Sequence, residues 1–235
     1  MHILSMVIKM NVFCWDFDGT LVLSNSLWSR SLLTALNETI PEHGIEFNDI
    51  RAELKTGFTW HTPNEDYSKT INEKWWEFMN SYFLNVFIRL GLDKNDSVVA
   101  VNKIREIIKR KNNYELYIDT FDTLEKLKDK GKHIILSNNY PDLIEIVEKL
   151  GLLPYFEHVV VSSVIGYDKP RKELFDYAKS IYGENNNYIM IGDNPFADVI
   201  GGNNAGMTTI LVHSGYCSDA DYCFDNLSDI VNLFT

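Results

Sequence analysis

The stretch Asn11-Val12-Phe13-Cys14-Trp15-Asp16-Phe17-Asp18-Gly19-Thr20 decides how the rest of the chain is read. Five residues rich in strand formers run into two carboxylates with one residue between them. Asp18-Gly19 is a turn signal, so the pattern predicts a buried strand that stops where its acids begin. Residues two apart in extended chain point the same way, and a turn at Gly19 can aim both carboxylates at one target.

Working outward, the same pattern recurs. Residues 132–136 form an apolar run that closes at Ser137-Asn138-Asn139, with Pro141 placed to open a helix reaching Leu150. Residues 155–161, 188–191 and 208–212 are further strand candidates. Between them, residues 120–130 set Phe121, Leu124 and Leu127 on one helical face, and residues 172–182 do the same with Leu174, Phe175, Ala178 and Ile181. Strands alternating with helices imply an α/β fold, a Rossmann-like parallel sheet with helices on both faces, whose strands all end at one edge. Ligands of open α/β sheets bind at that edge.

One segment breaks the alternation. Residues 24–115 show no strand pattern, yet carry helical stripes: Leu27, Trp28, Leu32, Leu33 and Leu36; a long one from Ile71 through Trp75, Phe78, Met79, Tyr82, Phe83, Val86 and Phe87 to Leu90; and Val98, Val101, Ile104, Ile107 and Ile108. Four of the five tryptophans fall here, which is too apolar for a loop. The expected organisation is an α/β catalytic core from residues 1–23 and 116–235, with 24–115 inserted as an α-helical cap over the edge where the first strand ends.

Composition limits the functions to consider. The chain has 235 residues, 45% hydrophobic, with 33 acidic against 22 basic residues and a formal charge of −11. That charge disfavours phosphate backbones and anionic lipid surfaces, so neither a nucleic-acid nor a membrane partner is expected. Cys14, Cys217 and Cys223 are too few for a disulfide framework and lack metal-site spacing. Met1 to Asn11 lacks the marks of a secretory leader, and no apolar run reaches the length of a membrane span, so a soluble, cytoplasmic protein, monomer or homodimer, is expected.

The topology gathers Asp16, Asp18, Ser137, Lys169 and Asp193 at one edge. Clustered carboxylates raise one another's pKa and oppose folding unless a cation sits among them, and Mg²⁺ suits such hard oxygen ligands. Asp16-Phe17-Asp18-Gly19-Thr20-Leu21-Val22, Ser137-Asn138, Lys169-Pro170 and Gly192-Asp193 with Asp198 resemble, in order, the four motifs of the haloacid dehalogenase-like (HAD) hydrolase superfamily. Residues 120–138 and 189–212 resemble its phosphatase branch. Within the insert the resemblance is one of position, length and helical character alone.

The resemblance implies a Mg²⁺-dependent phosphatase acting on a small phosphorylated metabolite through an aspartyl-phosphate. Asp16 is then the nucleophile and Asp18 the general acid and base. Ser137, the Asn138 amide and Lys169 hold the phosphate. Asp16, Asp18 through its backbone carbonyl, and Asp193 hold the metal, and Asp198 orients Lys169 or a metal-bound water. Asp18 and Asp193 argue against the metal-free dehalogenases. A phosphomutase retains every one of these residues, and a catalytically silent binding module is the rival from another class. Phosphonate cleavage needs an imine-forming lysine, and nothing marks Lys55, Lys69 or Lys74 as one. His61, His133 and His213 lack ligand spacing, Arg30, Arg51 and Arg89 read as solvated, and Trp60-His61 is a stretch of the insert that could reach substrate. Ile118-Asp119 stands where relatives often carry a proline-glycine pair.

Overall fold

The computed structural model describes residues 9–23 and 25–235, so the leader reading of Met1 to Asn11 falls largely outside the described residues and the junction at Ser24 does so entirely. A six-stranded, all-parallel sheet in the order β3-β2-β1-β4-β5-β6 forms the frame. Its first strand, β1 (Asn11–Trp15), is central and lies between strands that come much later in the chain.

Four helices follow β1 within residues 25–115: α1 (Leu27–Asn37), α2 (Phe47–Glu53), α3 (Glu73–Arg89) and α4 (Lys94–Ile108). Then come α5 (Thr120–Leu127), β2 (Lys132–Ser137), α6 (Leu143–Lys149), β3 (His158–Val161), α7 (Ser162–Ile165) and α8 (Lys172–Tyr182). After β4 (Asn187–Gly192), a π-helical turn over Pro195–Ile200 leads into α9 (Gly201–Asn204), β5 (Thr208–Val212) and β6 (Tyr222–Phe224).

Both faces of the sheet are covered, and the period of two along each strand divides its residues between them. Phe13, Trp15, Ile135, Ile189 and Ile191 join one buried cluster; Val12, Cys14, Ile134, Leu136, Tyr188 and Met190 join the other, beneath Leu174, Phe175 and Ala178 of α8. His133 is a core residue: its Nδ1 accepts from Trp15 Nε1 at 3.1 Å and its ring lies 4.7 Å from that of Phe13. Burial holds its pKa below the ordinary value.

The first cluster runs on without a break into the helical segment. Trp28 packs among Phe58, Trp60, Trp75, Trp76 and Phe83, with ring centroids 5.0 to 6.3 Å away. Two contacts join this segment to the sheet domain through Asp142. Trp76 Nε1 donates to its Oδ2 at 2.8 Å, and Arg105 makes a two-pronged ion pair with both of its oxygens.

Several expected positions are corrected. Phe121 is 41% exposed because α5 turns Thr120, Thr123, Leu124 and Leu127 inward instead. Val98 and Phe78 are likewise exposed, because α4 turns Ser97, Ala100, Val101, Ile104, Ile107 and Ile108 inward and α3 turns Trp75, Trp76, Met79 and Phe83 inward. Tyr155 belongs to a 3₁₀ turn, so β3 begins only at His158. Strand β6 had no counterpart in the sequence reading.

These assignments predict different costs for two aromatic deletions. Phe83→Ala empties a fully buried position in α3 and should cost about 3–5 kcal/mol, read as a lower midpoint in urea unfolding followed by tryptophan fluorescence. Phe121→Ser should stay within about 0.5 kcal/mol of the parent. Equal losses would show that α5 docks by the face the sequence suggested.

Candidate active site

The edge at which β1, β2 and β4 end is where the chain reverses its direction of growth across the sheet, since β2 and β3 lie to one side of β1 and β4 to β6 to the other. Loops diverge there and leave a crevice. Asp16 follows β1 directly and its N–H donates to Ile191 O on β4 at 2.8 Å, which sets it beside Asp193, the residue after β4. Ser137 is the last residue of β2.

Lys169, in the loop before α8, reaches into this edge with its side chain fully buried. Its Nζ lies 2.9 Å from Asp16 Oδ1 and 2.6 Å from Asp198 Oδ1. Burial alone would discharge a lysine, but the two carboxylates outweigh it and push the pKa up to about 12. The lysine is also held by its backbone: its N–H donates to Asn138 Oδ1 at 2.7 Å and its C=O accepts from Asn138 Nδ2 at 3.0 Å. The Asn138 side chain is therefore committed to the protein, which leaves its main-chain N–H as the group able to meet an anion.

Carboxylate oxygens of Asp16, Asp193 and Asp198 come within 4.8 Å of one another. Asp198 differs from the other two because both its oxygens are engaged, Oδ1 by Lys169 and Oδ2 by the Asn194 N–H at 3.0 Å. Burial lifts its pKa to about 6 against the pull of Lys169. Asp193 is pushed up to about 7 by burial and by the charges of Asp16 and Asp198.

The side chain of Asp18 stands apart from that trio. Burial, and then the charge of Asp16, raise its pKa to about 7, while a hydrogen bond from Asn139 Nδ2 to its Oδ2 at 2.7 Å opposes the rise. Gly19 then turns with φ +84°, and a Cβ there would lie 2.3 Å from Asp193 Oδ2. Only glycine permits both the left-handed turn and this approach of the two loops.

Asp16, Asp18, Ser137, Asn138, Lys169 and Asp193 line one cavity of about 630 Å³. The helical segment supplies the opposite wall with Trp28, Arg51, Lys55, Phe58, Trp60 and His61. Arg51, read from the sequence as solvated, thus borders the cavity, whereas Arg89 pairs with Glu53 at 2.7 Å. His213 stacks on Tyr117 with centroids 3.7 Å apart.

Two residues of the site carry no motif in the sequence. Asn139 looks like an ordinary loop residue, and its contact with Asp18 spans 121 positions. Asn194, in the Gly192-Asp193-Asn194-Pro195 turn, caps the π-helical turn by accepting from the N–H groups of Phe196 and Ala197. The only local signal was that asparagine is the usual residue for such a cap.

Several known proteins resemble this chain, some of them over almost its whole length. The pyrophosphatase PpaX of Bacillus cereus (strain AH820) is 26% identical over 237 residues, 97% of each chain. The pyrimidine 5'-nucleotidase YjjG of Escherichia coli (strain K12) is 35% identical over 94 residues, 39% of this chain and 42% of its own. Among solved structures, the HAD hydrolase YfnB of Bacillus subtilis, crystallised with magnesium, superposes with a TM-score of 0.69 at 21% identity, covering 97% of this chain and 99% of its own. A 2-haloacid dehalogenase from Pseudomonas syringae gives 0.70 at 20% identity over 96% and 98%, and these two likenesses speak for the fold alone. The family model for haloacid dehalogenase-like hydrolases matches residues 10–206, and the chain belongs to that family.

Proposed function

We propose that this hydrolase is a Mg²⁺-dependent phosphatase that cleaves a small phosphomonoester through an aspartyl-phosphate on Asp16. The observation that carries the reading is the buried Lys169, in contact with Asp16 and Asp198 at the floor of a cavity that Asp16, Asp18 and Asp193 also line. Lys169 occupies Asp16 Oδ1, and Oδ2 has no hydrogen-bond partner among the described residues, so one oxygen remains to attack phosphorus. The leaving oxygen departs with a proton from Asp18. Water then attacks the phosphorus, Asp18 takes its proton, and phosphate and free Asp16 are regenerated. Residues 24–115 act as a cap, and their wall keeps other water out of the first step.

The donor set fits a magnesium ion: three acids close together, one of them neutralised by Lys169, and a glycine whose missing Cβ leaves room beside Asp193. Asp16, Asp193 and the backbone carbonyl of Asp18 would hold it, and Asp198, hydrogen-bonded to Lys169 and to the Asn194 N–H, would orient Lys169. When bound it supplies positive charge to the transferring phosphoryl group and to the clustered acids.

A panel of phosphorylated metabolites with Mg²⁺ tests the reading. It should include a sugar-phosphate isomer pair to expose mutase activity, pyrimidine 5'-mononucleotides because of the YjjG likeness, and pyrophosphate because of PpaX. Release of phosphate from a monoester, abolished by EDTA, is expected. Isomer interconversion, or cleavage of pyrophosphate alone, would replace the reading. Asp16→Asn should lower kcat by about a thousandfold or more with the fold intact, checked by circular dichroism; a mild loss would remove Asp16 as nucleophile.

Stability should respond to pH in a defined direction. Asp18 and Asp193 near 7 and Asp198 near 6 all lie above the ordinary carboxylate value of about 4, so the unfolded chain sheds these protons first. The folded state binds more protons across that interval, and the stability of the metal-free protein falls as pH rises from about 4 to about 7. Mg²⁺ competes with the proton on Asp193, so the rise in Tm it produces should grow from about pH 5 to about pH 8 and shrink in Asp193→Asn. A rise independent of pH would contradict the proposed ligands.

A further inference from the structure

We propose that Asn139 is a positioning residue for Asp18, fixing which of its two carboxyl oxygens meets the substrate. The inference rests on the phosphatase reading and deepens it. Asn139 Nδ2 donates to Asp18 Oδ2 at 2.7 Å. Its own Oδ1 accepts from the Tyr140 N–H at 3.0 Å, its main-chain N–H donates to Ser162 Oγ at 3.3 Å, and the residue is 3% exposed.

These contacts settle the orientation of the amide. Turning it over would set an NH₂ group against the Tyr140 N–H and an oxygen against a carboxylate, so the face it presents to Asp18 is a donor. Its backbone and side chain are both tied, and it cannot follow Asp18 if that residue swings.

The consequence falls on Asp18. A carboxyl O–H on Oδ2 would point a proton at the amide hydrogens, so the acid form carries its proton on Oδ1. That oxygen has no protein partner among the described residues, in a side chain that lines the cavity. In the first step this proton passes from Oδ1 to the leaving oxygen as the bond from phosphorus to that oxygen breaks and the bond to Asp16 forms. Without Asn139 the carboxyl loses the hydrogen bond that orients it, and either oxygen can face away when the bond breaks.

Leaving-group dependence separates this role from a structural one. 4-Nitrophenyl phosphate expels a stable anion that needs no proton, whereas benzyl phosphate expels an alkoxide that does. The parameter to compare is kcat/KM, which reports steps up to transfer onto Asp16 and is blind to hydrolysis of the phosphoenzyme. Asn139→Ala should lower kcat/KM for benzyl phosphate by about a hundredfold, within the range general acid catalysis contributes, and that for 4-nitrophenyl phosphate by less than about threefold. Asn139→Leu keeps a branched side chain of similar size without a donor or a new charge beside Asp18, circular dichroism checks its fold, and it should show the same selectivity. In an Asp18→Asn background, Asn139→Ala should cost nothing further.

Equal losses on both substrates, or a full additional loss in the Asp18→Asn background, would overturn the positioning role while the phosphatase reading stands. A parent enzyme that releases phosphate from neither probe nor any monoester of the metabolite panel would take down both.

Discussion

Four carboxylates and one ammonium share the end of the sheet, and the placement of Lys169 makes the arrangement tolerable. A buried lysine without partners would lose its charge, and buried acids without a cation would keep their protons. With Nζ between Asp16 and Asp198, both penalties are reduced in one place, and the remaining strain appears in the raised pKa values of Asp18 and Asp193. The side chain of Asn138 grips the lysine's own N–H and C=O, so its position is set by backbone as well as by charge.

The sheet makes this convergence possible. Because β1 lies between β2 and β4, loops that are far apart in the chain end within hydrogen-bonding reach of one another. Close approach needs missing side chains: a Cβ at Gly19 would strike Asp193, and one at Gly192 would lie 2.1 Å from Asp198 Oδ2. Both acids sit where glycine has cleared the space, and both would be displaced by the smallest substitution. The helical segment faces this edge with aromatic and cationic side chains and, among the described residues, contributes no carboxylate to the cavity wall.

Much of this was legible in the sequence because buried parallel strands announce themselves. The runs that became β1, β2, β4 and β5 are apolar enough to stand out alone, and each ends in a chemical residue or a turn. Strand β6 did not stand out because its three residues are half exposed at the sheet edge, too few to show alternation. Phe121 and Val98 misled because a helical stripe gives a phase only to within one residue, and the facing helix decides between neighbours. Asn139 was invisible for a different reason: its function depends on where the loop after β2 turns relative to Asp18, and no local pattern encodes that. Arg51 belongs to the same class, since a solvated helix face and a cavity wall look alike until the helix is placed.

The proposed covalent bond between Asp16 and phosphorus can be trapped chemically. An acyl phosphate formed by quenching the enzyme with acid in mid-turnover can be reduced by borohydride and located by peptide mass spectrometry. The account predicts homoserine in place of Asp16 and in no other aspartate. Reduction at Asp18, Asp193 or Asp198, or none at all from an enzyme turning over at full rate, would contradict it.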